Sequence, residues 1–373
     1  MQKRIRLIFR FLLFLILLRS GLAADRDLKA LINDLLVIPA VTGNEELLAA
    51  KIRERLPKSF AVETDNLSSV YARAGKGNDA IGVFAALDEF GWFVSGITAD
   101  GYLRLDRSAV LPHPLFDSFL LGHAVVISTG AGLQNGVVAQ PAMHLLSRER
   151  REELQKGISL DMVYVDIGAG SEQEVAFRGV EHLDSVSFRP ELVTLANDQL
   201  AGSSLGHKAI CSALAAAAGE VGRMRDVSAV HFAWMAQSRF AARGAGGRVS
   251  LGALRAARRL QPKTVLLLDG LAADLGENSP ILGKGPVLWQ LREARSKLKE
   301  TLVSAAREKN IALQHKTGGE STLLASFQGE GVDAVVLALP VKFSQTPSEV
   351  ISLPDVRAMV DLVISVAVRG GAR

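Results

Sequence analysis

Ile81-Gly82-Val83-Phe84-Ala85-Ala86-Leu87 is a nearly continuous apolar run of strand length that ends on the acidic pair Asp88-Glu89, and its surroundings decide the fold. A strand exposed on one face alternates apolar and polar side chains; a run without that alternation is covered on both faces, as in a sheet packed between helices. Upstream, Leu28, Leu31, Ile32, Leu35 and Leu36 recur at helical spacing until Pro39. After the turn Val41-Thr42-Gly43-Asn44, the residues Leu47, Leu48, Ile52 and Leu56 repeat the pattern, with Asn44 placed to cap this second helix. Two short strands, 61–64 and 70–73, separated by Asp65-Asn66, lead into the apolar run.

Downstream the character changes. Between 90 and 187, short β-rich runs (93–97, 124–128, 136–139, 162–167, 185–188) alternate with Gly, Asn, Pro and Asp turns, and Asn135-Gly136 carries a hairpin-turn signal. Helical spacing there is confined to 147–155, so the segment is expected to be an inserted β-barrel-like or β-sandwich-like module. From 188 onward helices at 203–218, 251–260, 291–308 and 354–368 alternate with strands at 229–236, 264–268 and 334–339. The expected fold class is α/β: a mixed sheet sandwiched by helices, assembled from 25–89 and 188–373, with a small β-barrel-like domain inserted at 90–187. Ligands in such folds lie beyond the strand ends.

The start of the chain reads as a secretory signal peptide. Lys3, Arg4, Arg6 and Arg10 precede the apolar run 11–18, and the small residues Gly21, Ala23 and Ala24 follow it. A membrane helix needs about 20 apolar residues, and this run, bounded by Arg10 and Arg19, is far shorter. Cleavage after about residue 24, without a stable membrane span afterwards, is the expectation, and retention as an anchor is the alternative. Export implies a secreted or periplasmic location. Five of the 43 basic side chains lie in residues 1–24 and none of the 39 acidic ones, so residues 25–373 carry 38 against 39, a net charge of −1. That balance lacks the excess of cations that nucleic-acid binding needs. Cys211 is the only cysteine, which excludes an intrachain disulfide and a thiolate-rich metal site.

Four stretches together carry a resemblance: Ala85-Ala86-Leu87-Asp88-Glu89-Phe90-Gly91, Val165-Asp166-Ile167-Gly168-Ala169, Leu282-Gly283-Lys284-Gly285-Pro286 and Pro340-Val341-Lys342-Phe343-Ser344-Gln345-Thr346-Pro347-Ser348-Glu349. With the β-rich insertion inside an α/β chain, they resemble metallopeptidase family 42, the tetrahedral glutamyl and deblocking aminopeptidases, over nearly all of residues 28–367. The resemblance implies an aminopeptidase-like fold and homo-oligomers, dimers or larger, built through the inserted domain. It also implies two divalent metals, usually zinc or cobalt, held by imidazoles and carboxylates, with a glutamate that deprotonates the attacking water.

Carried over residue by residue, the resemblance places the first metal-binding histidine at Ala86, the bridging aspartate at Asp198, the general base at Ser238, the next ligand at Arg239, a further ligand at Asp269 and the final histidine at Gln345. Only Asp198 and Asp269 among these retain a carboxylate. Asp88, Glu89 and Lys342 would support the ligands from behind. An alanine has no lone pair to donate, and Arg239 puts a fixed cation where a dication belongs. The expectation is that no metal cofactor is bound and that Arg239 pairs with Asp198 or Asp269 in its stead.

Plainer readings stand beside these. Asp198 and Asp269 are strand-end aspartates of the kind that cap turns, Ser238 and Gln345 are simple polar replacements, and Arg239 is a solvated surface residue. His207 and His231 read as ordinary helix and strand histidines, and Gly283-Lys284-Gly285-Pro286 as a turn without the spacing of a phosphate loop. Gly202-Ser203-Ser204-Leu205-Gly206 matches the Gly-x-Ser-x-Gly of serine hydrolases, but a nucleophile elbow follows a strand directly and the preceding Leu195 to Gln199 does not read as one. The expected function is an exported, non-catalytic homologue of family-42 aminopeptidases that binds a peptide or protein partner. The alternatives are an active zinc- or cobalt-dependent aminopeptidase with an atypical site, and a serine-type hydrolase using Ser204.

Overall fold

The computed structural model describes residues 25–369 apart from 111, 112, 114, 140, 141, 156, 245, 246 and 293–295. The signal-peptide reading of residues 1–24 lies outside the described residues.

The apolar run forms the end of the strand Lys76–Ala86, in the middle of an eight-stranded mixed sheet. It pairs in parallel with Ser228–Met235 on one side and with Thr264–Ala272 on the other, and Thr264–Ala272 pairs in parallel with Asp333–Val341. The antiparallel pairs lie further out: Val70–Ala74 joins Ser228–Met235, and Val287–Gln290 joins Asp333–Val341. Ile81 to Ala86 are all buried, and they alternate between two cores. Val83 and Ala85 pack with the helices 25–36, Glu46–Arg55, Leu205–Gly222, Lys297–Glu308 and Leu353–Arg369. Phe84 and Ala86 pack with Leu251–Leu260 and Thr322–Gly329 on the opposite face. Burial on both faces is why this strand carries no polar alternation.

At Leu87 the chain leaves the sheet for a closed six-stranded barrel made of Trp92–Ile97, Leu103–Arg107, Tyr164–Asp166, Gly132–Ala139, Ala124–Thr129 and Ser185–Phe188. The barrel has a hydrophobic core of its own, centred on Trp92, Val94, Leu105, Ile127, Val165 and Val186. A small sheet joins Val193–Thr194 and Gln199–Gly202, which lie between the barrel's last strand and the helix Leu205–Gly222 in the chain, to Glu349–Ser352 from near the end of the chain.

Local details differ from the sequence reading. Asn135-Gly136 lies inside the strand Gly132–Ala139, and the hairpin closes where Thr129 pairs with Gly132. Gly136 is there because a Cβ would sit 2.7 Å from Val165 Cγ1, so close packing, not turn geometry, explains it. Asn44 does not cap the second helix, whose N-cap is Glu45. The helix expected from 291 begins at Lys297, capped by Ser296, because Val287–Gln290 is spent on a strand.

Candidate active site

The strands Lys76–Ala86, Ser228–Met235, Thr264–Ala272 and Asp333–Val341 run in one direction, so their C-terminal ends meet at one edge of the sheet. There Ala86, Arg239, Asp269 and Gln345 line a single cavity of ≈ 80 Å³. The first turn of the helix Leu205–Gly222 enters the same cavity with Ser204, Gly206 and His207, and Phe90, Phe116 and Phe188 add an aromatic wall.

The turn that carries Arg239 is held by two buried carboxylates. The backbone N–H of Gln237 donates to Glu45 Oε1 at 2.9 Å, that of Ser238 to Asp88 Oδ1 at 2.8 Å, and that of Arg239 to Asp88 Oδ2 at 2.7 Å. Thr42 Oγ1 donates to the same Asp88 oxygen at 2.9 Å. Such donors favour the ionised carboxylate, whereas burial favours its protonated form. For Asp88 burial wins and raises the pKa, with Arg239 the largest opposing influence. Glu45 is pushed up to about 8, first by burial and then by the charge of Asp88.

Arg239 itself differs from expectation. Its guanidinium lies 4.9 Å over the Phe90 ring, and Nε makes one long bond of 3.5 Å to the carbonyl of Asp88. Among the described residues it makes no ion pair with Asp198 or Asp269. Asp269 closes its strand with Oδ1 accepting from Gly270 N at 2.8 Å; burial raises its pKa and the Arg239 charge draws it back. The two charges therefore feel each other across the cavity without touching.

Asp198 is not at the cavity. It is exposed, with φ 53°, in the turn between two short strands, and its carbonyl accepts from Leu353 N at 3.0 Å. What the helix start presents to the cavity is Gly206, whose N–H donates to Glu349 Oε2 at 2.9 Å. Its lack of a side chain is required: a Cβ would lie 2.7 Å from Val341 Cγ2. Glu349 accepts from Gln345 N at 2.8 Å with its other oxygen and so fixes the loop 342–349 against the helix start. Ser238, at the general-base position, turns its hydroxyl back to Met235 O at 2.8 Å and does not line the cavity. Lys342 is also outside the lining, its ammonium 5.1 Å from the Phe343 ring centre. Glu89 reaches the cavity wall, but Oε1 accepts from Ala40 N at 2.8 Å and Oε2 lies 3.6 Å from Lys208 Nζ in a buried ion pair.

His207, read from sequence as an ordinary helix histidine, is part of the wall. Its Nε2 lies 2.9 Å from the carbonyl of Leu87 and must donate to it. Burial, then the charges of Arg239 and Lys208, lower its pKa well below the ordinary value. The neutral ring leaves Nδ1 as an acceptor. His231 sits elsewhere, half-buried on the strand Ser228–Met235.

The segment around Ser204 also needs correcting. A strand, Gln199–Gly202, does precede it directly, and Ser204 sits at φ 53° at the helix N-cap. The expected objection to a nucleophile elbow therefore falls, but a different one replaces it. Among the described residues Ser204 has no hydrogen bond to His207 or to any other base, and a serine without a base is not activated.

Residues 68–362 match the family of M42 glutamyl aminopeptidases. The chain belongs to that family. It is 27% identical over 346 residues to the lysyl aminopeptidase of Pyrococcus furiosus, covering 89% of this chain and 94% of that protein. Its fold superposes on PhTET1-12s, a dodecamer in its crystal, with a TM-score of 0.76 and 25% identity over 90% of this chain and 97% of the other. It also superposes on the Pyrococcus horikoshii TET1 peptidase, which assembles into a tetrahedron or a large octahedral shell, with a TM-score of 0.77 and 24% identity over 91% of this chain and 99% of the other.

Whether the cavity suits the metals implied by this family is a question about its donors. A dinuclear site needs several imidazoles and ionised carboxylates around both ions. Here the wall offers Ala86, Gly206, Arg239 and Gln345, with Asp269 the one expected ligand in the lining and His207 the one imidazole. Among the described residues no group of three or more His, Cys, Asp or Glu side chains is arranged to hold a metal ion. Glu89 and Glu349 have both oxygens engaged, and the fixed charge of Arg239 repels a dication. The residues do not fit the two ions. Sequence reasoning singled out six of the cavity-lining residues, Ala86, Glu89, Ser204, Arg239, Asp269 and Gln345, and missed Gly206, His207 and the bracing role of Glu349. The signal for the first two was the Gly-x-Ser-x-Gly segment, which holds the helix start.

Proposed function

We propose that this member of the M42 family is a non-hydrolytic binding protein, which uses the strand-end cavity to hold a peptide or a small peptide-derived ligand. Arg239 carries the reading: a fixed cation stands at a position where the family resemblance implies a metal ligand, and the two glutamates that share its cavity, Glu89 and Glu349, have both oxygens engaged. The retained concave site, lined by polar groups and three phenylalanines, is suited to binding without chemistry. The inserted barrel serves assembly into homo-oligomers, in keeping with the large assemblies of its structural relatives. The N-terminal pattern supports export to a secreted or periplasmic location, and no helix among the described residues is long and apolar enough to cross a membrane.

The test is metal content of the purified protein after incubation with zinc or cobalt, together with turnover of aminoacyl-nitroanilides in the same samples. The expected result is no stoichiometric metal and no turnover. Two tightly held ions per chain with metal-stimulated turnover would overturn the proposal and establish the active aminopeptidase. Sequencing the N-terminus of exported protein tests the location; an intact residue 1 in a cytoplasmic fraction would refute it.

A further inference from the structure

The cavity contains a cation and an anion that do not satisfy each other. Among the described residues, the only side-chain bond of Arg239 uses Nε, so both of its Nη nitrogens are uncommitted. Asp269 commits only Oδ1, to Gly270 N. Every other carboxylate of the wall is spoken for: Glu349 by two backbone N–H groups, Glu89 by Ala40 N and Lys208. His207 adds an uncommitted Nδ1, because its other nitrogen donates to Leu87 O. Free donors therefore lie on the Arg239 side and free acceptors at Asp269 and His207, all lining one cavity.

A partner that suits this arrangement carries both charges on one small molecule. A lone carboxylate would meet Arg239 but face Asp269, and a lone ammonium would meet Asp269 but face Arg239; each leaves one charge uncompensated. The cavity of ≈ 80 Å³ is room for about six waters at about 10–15 Å³ each, which is the bulk of one mid-sized amino acid. Phe90, Phe116 and Phe188 give an apolar side chain a surface to lie against.

We propose that the cavity is a receptor site for a free, zwitterionic α-amino acid with an apolar side chain, its carboxylate on Arg239 and its ammonium on Asp269. This inference rests on the non-hydrolytic reading of the site. It narrows the ligand from peptides in general to a single residue whose two termini are both free.

Calorimetric titration of the full chain with L-leucine in a metal-chelated buffer tests it. The probes leucinamide, which lacks the carboxylate, and N-acetyl-leucine, which lacks the ammonium, are expected to bind at least about tenfold more weakly, since each forfeits a charge-assisted contact. Arg239→Gln is expected to weaken leucine and to abolish its advantage over leucinamide. Asp269→Asn is expected to abolish its advantage over N-acetyl-leucine. These crossed losses of selectivity separate a direct contact from a general disturbance of folding. Equal binding of leucine and either blocked probe, or no leucine binding at millimolar concentration, overturns the inference. Turnover of leucyl-nitroanilide with added zinc or cobalt is measured in parallel: silence there with no leucine binding sinks the amino-acid site alone, whereas metal-stimulated turnover sinks the non-hydrolytic reading beneath it.

Discussion

Two layers of the same site obey different rules. Behind the cavity, Glu45, Asp88 and Lys208 are buried and bonded, Lys208 to the wall residue Glu89, and between them these groups hold the turn 237–239, the loop at Ala40 and the helix start in place. On the cavity face, Ala86 and Gly206 offer no side-chain ligand, and Arg239, Asp269 and His207 each keep an atom without a hydrogen bond among the described residues. The contrast teaches that a wall can be built to a fixed geometry without the donors that a metal requires. Rigidity lives in the inner layer, and the proposed ligand selectivity in the outer one.

Breaking the inner layer should have the largest effect. Asp88→Ala leaves the N–H groups of Ser238 and Arg239 and the hydroxyl of Thr42 without their acceptor, and is expected to cost about 3–5 kcal/mol, read by urea denaturation. A loss below about 1 kcal/mol would mean that water or a neighbour replaces the carboxylate and that the layer does not hold the turn. Gly206→Ala tests the seam between the layers. Its Cβ would meet Val341 Cγ2 at 2.7 Å, and the expected cost is about 1–3 kcal/mol, with little change in the circular dichroism spectrum.

Glu45 sharpens the comparison through pH. Its folded-state pKa of about 8 lies above the ordinary 4.5, so the folded chain binds more protons than the unfolded one in that interval. The stabilising contribution is therefore complete below about 4.5 and is lost as pH rises through about 8. Denaturation curves across that window should show the native chain losing stability relative to Glu45→Gln as pH rises, then running parallel to it above the window. A constant difference throughout would mean that Glu45 is not perturbed. The smallest effect is expected at Ser204, whose hydroxyl has no partner base. Ser204→Ala should change stability by less than about 0.5 kcal/mol and leave turnover unaltered, whereas loss of a metal-independent hydrolysis would restore the serine reading.

The sequence made much of the site legible because motifs local in the chain map onto strand ends. The apolar run ending at Ala86 and the polar break at Gln237-Ser238-Arg239 each mark where a parallel strand stops, so their residues had to approach one another once the sheet formed. Asp269 and Gln345 follow in the same way, from the strand 264–272 and the loop after 333–341. Asp198 was misplaced because an acidic residue before a helix looks alike in sequence whether its turn faces solvent or the cavity. That Arg239 pairs with neither Asp198 nor Asp269 was unreadable for a related reason: charge type predicts attraction, but the anchoring of the turn by Asp88 limits how far the side chain can reach.

By itself, the sequence determined the α/β class, the barrel between the two parts of the sheet and the family, because hydrophobic periodicity and residue identity are properties of the chain. Only the tertiary structure decided that Gly206 and His207 face the cavity, that Glu349 braces two loops and that Arg239 and Asp269 stand apart. Those facts depend on contacts between residues far apart in sequence, such as 206 with 349 and 207 with 87. No local pattern encodes such contacts, because their energy exists only after the helices and strands have packed.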